Sequence, residues 1–97
     1  MSLSFEWDPR KAASNRRKHG VSFEEARTAF LDEDGLQIAD PEHSGTEERF
    51  ILLGLSSYAR VLIVCHCFRS RDEIIRIISA RRANAHERAV YEERSAP

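Results

Sequence analysis

The sequence predicts an α+β domain: two N-terminal helices packed on an antiparallel sheet, with a third helix at the C-terminal end. Three observations predict it. Two capped helix starts crowd the first 31 residues, three apolar strand runs with short polar connections fill residues 49–82, and a further capping pattern begins at Asn84. Ninety-seven residues supply one modest core, so residues 1–97 are expected to form a single domain.

"FEWD" suits a short first strand. Asp8 then offers a side-chain acceptor and Pro9 occupies the first helical position, which starts a helix running to about Lys18. Gly20 can take the left-handed backbone beyond the helix end, and Arg16, Arg17, Lys18 and His19 sit where the helix dipole favours cations. Ser22 with Glu25 three residues later is the capping-box pattern, opening a second helix through about Phe30 or Leu31. "DEDG" and "DPEHSGTEE" read as loops around a short strand at Leu36–Ala39. "RFILLGLS" and "RVLIVCHCF" are joined by a tight turn near Ser57–Ala59, and "EIIRIISAR" follows the polar loop "RSRD". Short connections imply antiparallel neighbours, with the helices covering one face. Asn84, with Glu87 three residues on, starts the last helix, through about Glu93.

Composition excludes several classes. Hydrophobic residues at 41% against 32% charged describe a globular chain that buries a core. No apolar run approaches the roughly 20 residues of a membrane helix, and "MSLSFEWD" lacks the apolar centre of a signal peptide, so the cytoplasm is the expected compartment. Cys65 and Cys67 lie two apart on a strand and point the same way, which reads as reduced core residues. His66 between them points to the opposite face, which argues against a zinc site in "CHCF"; no metal and no cofactor are expected.

The net charge of -1 hides segregation. Residues 10–19 carry five bases and no acid, residues 20–48 carry nine acids against Arg27, and residues 49–82 carry seven arginines against Asp72 and Glu73. Brought together, the two basic regions would form a surface for a polyanion.

Strand alternation puts Ile74, Arg76, Ile78, Ala80 and Arg82 on one face, which makes Arg76 the odd member of an apolar row. If Phe68 pairs with Ile74, His66 lies opposite Arg76 and Val64 opposite Ile78. Two readings are open. Arg76 reaches a carboxylate at the sheet rim while His66 is a hydrogen-bonded core histidine. Alternatively, the two form a phosphate site in which the guanidinium binds oxygens and the imidazole moves protons, with Arg81 and Arg82 extending the positive field. Arg76 and Arg81 differ in parity, so both serve one site only if the strand twists or ends before Arg81.

"FEWD", "KHGVSFEEA", "RFILLGLS" and "RIISARRA", in this order over nearly the whole chain, resemble the BrnT-type ribonuclease toxins of bacterial toxin–antitoxin pairs. The resemblance implies a RelE-like fold, an endoribonuclease that blocks translation, and a BrnA-type antitoxin, in a complex that also binds operator DNA through the antitoxin. No functional residue is carried from it into the acidic loop at 32–48. Metal-independent cleavage by the ribose 2′-hydroxyl needs a proton acceptor, a donor and fixed cations. The expected catalytic residues are His66, Arg76 and Arg81, and the expected RNA or phosphate contacts are Lys18, His19, Arg69 and Arg82. The alternatives are a non-catalytic nucleic-acid-binding regulator and a protein-interaction module using the same basic surface.

Overall fold

The computed structural model describes residues 3–96. Local capping chemistry accounts for its helices. Helix α1 (Pro9–His19) begins where the Asp8 carboxylate accepts from the Arg10 N–H at 2.8 Å, and it ends at Gly20, whose φ of 70° lets its N–H return to the Arg16 carbonyl. Helix α2 (Phe23–Thr28) starts on the Ser22 hydroxyl and tightens into a 3-10 turn over Ala29–Leu31. Only half of the expected capping box forms there, because the Glu25 carboxylate turns away from Ser22 to meet Ser56 and Arg60. Helix α3 (Ala85–Ser95) has the full box: Asn84 accepts from the Glu87 N–H, and Glu87 accepts from the Asn84 N–H.

Five strands form one sheet in the order β1-β5-β4-β3-β2: β1 Ser4–Glu6, β2 Leu36–Ala39, β3 Phe50–Leu55, β4 Val61–Arg69 and β5 Ile74–Arg82. Strands β2 to β5 are the expected antiparallel meander, but β1 lies parallel to β5, so the sheet is mixed. The chain between β1 and β5 is long enough to allow a parallel pairing, which short turns forbid. Beyond β1, Asn15 of α1 serves the exposed backbone of β5. Its amide donates to the Ala80 carbonyl at 2.8 Å and accepts from the Ala80 N–H at 3.0 Å.

One sheet face is covered by α1 and α2, with Val21, Phe23, Ala26, Ala29, Leu62 and Val64 fully enclosed. The other carries α3, whose Tyr91 packs with Leu53 and Ala83 beside Val61 and Ile63. The helices therefore do not share one face, which corrects the expectation. A residue at the β5 exit explains it: Ala83 is buried on the α3 side, and its N–H donates to the Val61 carbonyl at 2.9 Å, which sets the direction in which the chain leaves the sheet. Among the described residues no helix is long and apolar enough to cross a membrane.

Candidate functional site

The β4–β5 hairpin determines where each arginine points. Its loop is one residue shorter than the sequence suggests: Arg69 is still strand and pairs with Ile74, and Phe68 pairs with Ile75. His66 consequently stands opposite Ile77, and Cys67 opposite Arg76. A one-residue slip exchanges faces, so His66 and Arg76 lie on opposite sides of the sheet, and the expected central pair does not form. Val64 pairs with Ala80, not Ile78.

His66 is fully buried on the helix-covered face. Its Nδ1 donates to the Val64 carbonyl at 3.0 Å, Nε2 lies 2.9 Å from the side-chain amide of Gln37, and Phe30, Phe50 and Phe68 surround the ring. Burial pushes its pKa below the ordinary value. This is the core histidine of the first reading, out of reach of a large substrate.

A bulge resolves the parity of the arginines. Between Cys65 and His66 the register shifts by one, leaving Ile78 as the extra residue of β5. Ser79 then pairs with Cys65 and Arg81 with Ile63. Cys67, Cys65 and Ile63 alternate onto one face of β4, so Arg76 and Arg81 share that face, the one opposite α1 and α2. Both are held by carboxylates. Arg76 donates to Glu6 at 2.8 Å, and Arg81 clasps Glu87 with two bonds of 2.8 and 2.9 Å. The Arg81 bond in turn lowers the pKa of Glu87. Arg69 reaches Glu6 at 3.7 Å and Glu47 at 3.2 Å.

The remaining expected residues gather elsewhere. Arg82 pairs with Leu62 and so turns toward the α1–α2 side, where its charge acts on Glu25. Glu25 is buried and accepts from the Ser56 hydroxyl at 2.7 Å and from Arg60 Nε at 2.9 Å. The Arg60 bond holds the Glu25 carboxyl below its usual range. Arg60 also donates to the Gly20 carbonyl at 3.1 Å, which ties this pair to the end of α1 carrying exposed Lys18 and half-buried His19. Arg60, Arg82 and Arg88 line one concavity of about 470 Å³. The sequence reading missed Arg60 and Glu25. A helix residue and a turn-flanking residue 35 apart carry no local sign that they pair.

On the open face, the part of the face opposite α1 and α2 that α3 leaves uncovered, a depression of about 220 Å³ lies against β3, β4 and β5, bordered by Asp40, His43, Arg49, Cys65, Ser79 and Arg81. Three of these come from the acidic loop and its end, where no functional residue was expected. The signal that could have found them is the spacing of Asp40 and His43 around Pro41, which forms a single turn. Among the described residues no three His, Cys, Asp or Glu side chains are grouped to hold a metal ion.

Comparison with known proteins agrees with this architecture. The crystal structure of the Brucella abortus ribonuclease toxin BrnT, at 1.1 Å resolution, superposes with a TM-score of 0.63 at 22% identity, covering 86% of this chain and 99% of that one. No curated protein sequence matches. Residues 7–87 match the family described as "Ribonuclease toxin, BrnT, of type II toxin-antitoxin system". The chain belongs to the BrnT family of ribonuclease toxins of type II toxin–antitoxin systems.

Proposed function

We propose that this toxin is an endoribonuclease of RelE-like fold that cleaves RNA without a metal and thereby inhibits translation. The 2′-hydroxyl attacks the adjacent phosphate, leaving a 2′,3′-cyclic phosphate and a 5′-hydroxyl. The observation that carries this reading is the bulge at Ile78, which gives Arg76 and Arg81 a common face. Two guanidiniums on one side of a sheet, with carboxylates fixing their positions, are preorganised for the charge that develops on phosphorus-bound oxygens. Arg76 uses one nitrogen on Glu6 and retains further N–H donors for phosphate.

The second basic region supports a longer RNA path. Lys18, His19 and Arg82 at the α1 corner, joined by Arg60 and Arg88, are suited to backbone phosphates away from the cut. A BrnA-type antitoxin neutralises the toxin by covering this corner, and the complex binds operator DNA through the antitoxin. Charge supports the first part: residues 10–19 have no acid among them, so RNA and an acidic protein segment would compete for one field.

The test is incubation of the purified protein with a defined RNA in EDTA, with and without ribosomes, followed by identification of the ends. Cyclic phosphate and 5′-hydroxyl termini are expected. Intact RNA under both conditions, or cleavage abolished by EDTA, would overturn the reading.

A further inference from the structure

The ribonuclease reading leaves one part unfilled, since the histidine expected to move protons is enclosed on the wrong face. The open face holds another. His43 ends the 3-10 turn Pro41–His43, and its side chain is 66% exposed while that of its partner Asp40 is 11% exposed. His43 Nδ1 lies 2.8 Å from Asp40 Oδ2. An ionised carboxylate only accepts, so Nδ1 carries a hydrogen, and in the neutral imidazole the lone pair is then on Nε2, the nitrogen not bonded to Asp40. A buried carboxylate that fixes the tautomer and angle of an exposed imidazole is the arrangement that makes histidine a positioned base.

The loop is tied down on several sides. The Asp40 N–H donates to the Arg49 carbonyl at 2.9 Å, the Arg49 N–H donates to the Ser44 hydroxyl at 2.8 Å, and that hydroxyl donates to the Asp40 carbonyl at 2.9 Å. These bonds join the loop that carries the dyad to Arg49, the residue before β3. Arg49 and Arg81 border the same depression. Among the described residues no ion pair involves Arg49, in contrast to Arg81 with Glu87.

We propose that His43, oriented by Asp40, is the proton-transfer group of RNA cleavage, acting where Arg49 and Arg81 hold the scissile phosphate. The inference rests on the ribonuclease reading and supplies the acid–base group it lacks. His43 Nε2 takes the proton of the 2′-hydroxyl as that oxygen forms its bond to phosphorus. The bond from phosphorus to the 5′-oxygen breaks, and its electron pair leaves with the oxygen. Water protonates the departing oxygen, and the hydroxide left behind takes the proton back from the imidazolium. The enzyme returns to its starting state with a cyclic phosphate and a 5′-hydroxyl formed. Asp40 is a positioning residue, since the side-chain bond it makes is to His43 Nδ1 and it acts through that ring.

The test compares wild type, His43→Ala, His43→Gln and Asp40→Asn in single-turnover cleavage of a defined RNA, with melting curves and binding of the same RNA carrying 2′-deoxy substitutions at the cut. Both His43 variants should lose roughly 10²–10⁴-fold in rate, the usual contribution of a positioned acid–base group. Melting temperature and affinity for the 2′-deoxy RNA should stay unchanged, and added imidazole should restore part of the rate of His43→Ala. Asp40→Asn should lose rate while still binding. If His43→Ala fails to fold, His43→Gln decides. Wild-type cleavage matched by the His43 variants would overturn the dyad alone, as would a folded His43→Ala that imidazole does not help. Wild-type protein that cleaves no RNA, free or on ribosomes, would overturn the ribonuclease reading itself.

Discussion

On the face covered by α1 and α2, His66 and Glu25 have their polar atoms committed to neighbours within the fold, whereas on the open face His43 keeps one ring nitrogen outward and Arg49 has no acidic partner among the described residues. The two histidines are the same residue type in opposite surroundings. Enclosed groups must be satisfied internally, because an unpaired polar atom without water costs more than its hydrogen bond returns. Exposed groups can be left with spare capacity, which is what a substrate needs. The comparison makes a sharp division: changes on the covered face should act through stability, and changes on the open face through activity.

The largest effect is expected at Glu25. Its carboxylate is nearly inaccessible and receives Ser56 and Arg60, while Arg60 is also bound to the Gly20 carbonyl. Glu25→Ala leaves a partly buried guanidinium and a buried hydroxyl without their acceptor, and such losses cost about 3–5 kcal/mol. Urea unfolding measures it. A loss below about 1 kcal/mol, the range of exposed pairs, would show that water reaches this corner freely. The pKa of Glu25 is lowered in the fold, so its contribution is complete above the ordinary carboxylate value of 4.5 and is lost as pH falls toward the depressed folded value.

His66 should come next. His66→Ala removes a ring enclosed by Phe30, Phe50 and Phe68 and should cost about 2–3 kcal/mol, the lower part of the range for large-to-small core changes. Its pH dependence separates this role from catalysis. Burial lowers the imidazole pKa below 6.5, so the unfolded chain takes up a proton at pH values where the folded chain does not. The stability difference between wild type and variant should be full above pH 6.5 and shrink as pH falls toward the depressed value. Unfolding curves at pH 7.5 and 5.5 read it. A difference that grows on acidification would mean that the folded ring binds the proton, contrary to its surroundings.

The helix ends and strand positions were legible in the sequence, the division between the two faces was not, and the limit is physical. Asp8, Ser22, Asn84 and Gly20 act on backbone within four residues of themselves, so the helix ends could be placed from spacing alone. Strand positions were equally local. Register was not: Ile78 bulges out of β5 with no glycine or proline to mark it, and Arg69 stays in β4 although it begins a polar run. Those two residues decide that His66 misses Arg76 and that Arg81 joins it. Asp40 and His43 were passed over because an acid-rich segment with proline and glycine reads as solvent-facing loop, and nothing in its composition shows that it is bonded back to Arg49 and Arg69.

The smallest stability effect, and the sharpest test of the open face, is expected at Arg76. Its bond to Glu6 joins side chains that are 30% and 38% exposed, and pairs reached by water contribute about 0–1 kcal/mol. Arg69 already lies 3.7 Å from Glu6, so the carboxylate retains a cation when Arg76 is removed. Arg76→Ala should therefore melt within a few degrees of wild type, since about 1 kcal/mol shifts a domain of this size by roughly 4–8 °C. Growth arrest on induction should nevertheless be lost, because the RNA backbone loses one of the fixed charges that Arg76 and Arg81 place on this face. Arg76→Lys keeps a charge without the planar fork and should retain part of the arrest. Full arrest by a folded Arg76→Ala protein would remove this arginine from the site. Loss of several kcal/mol would instead class it with Glu25, as a residue whose pairing holds the sheet edge together, and the division between the two faces would fail at β5.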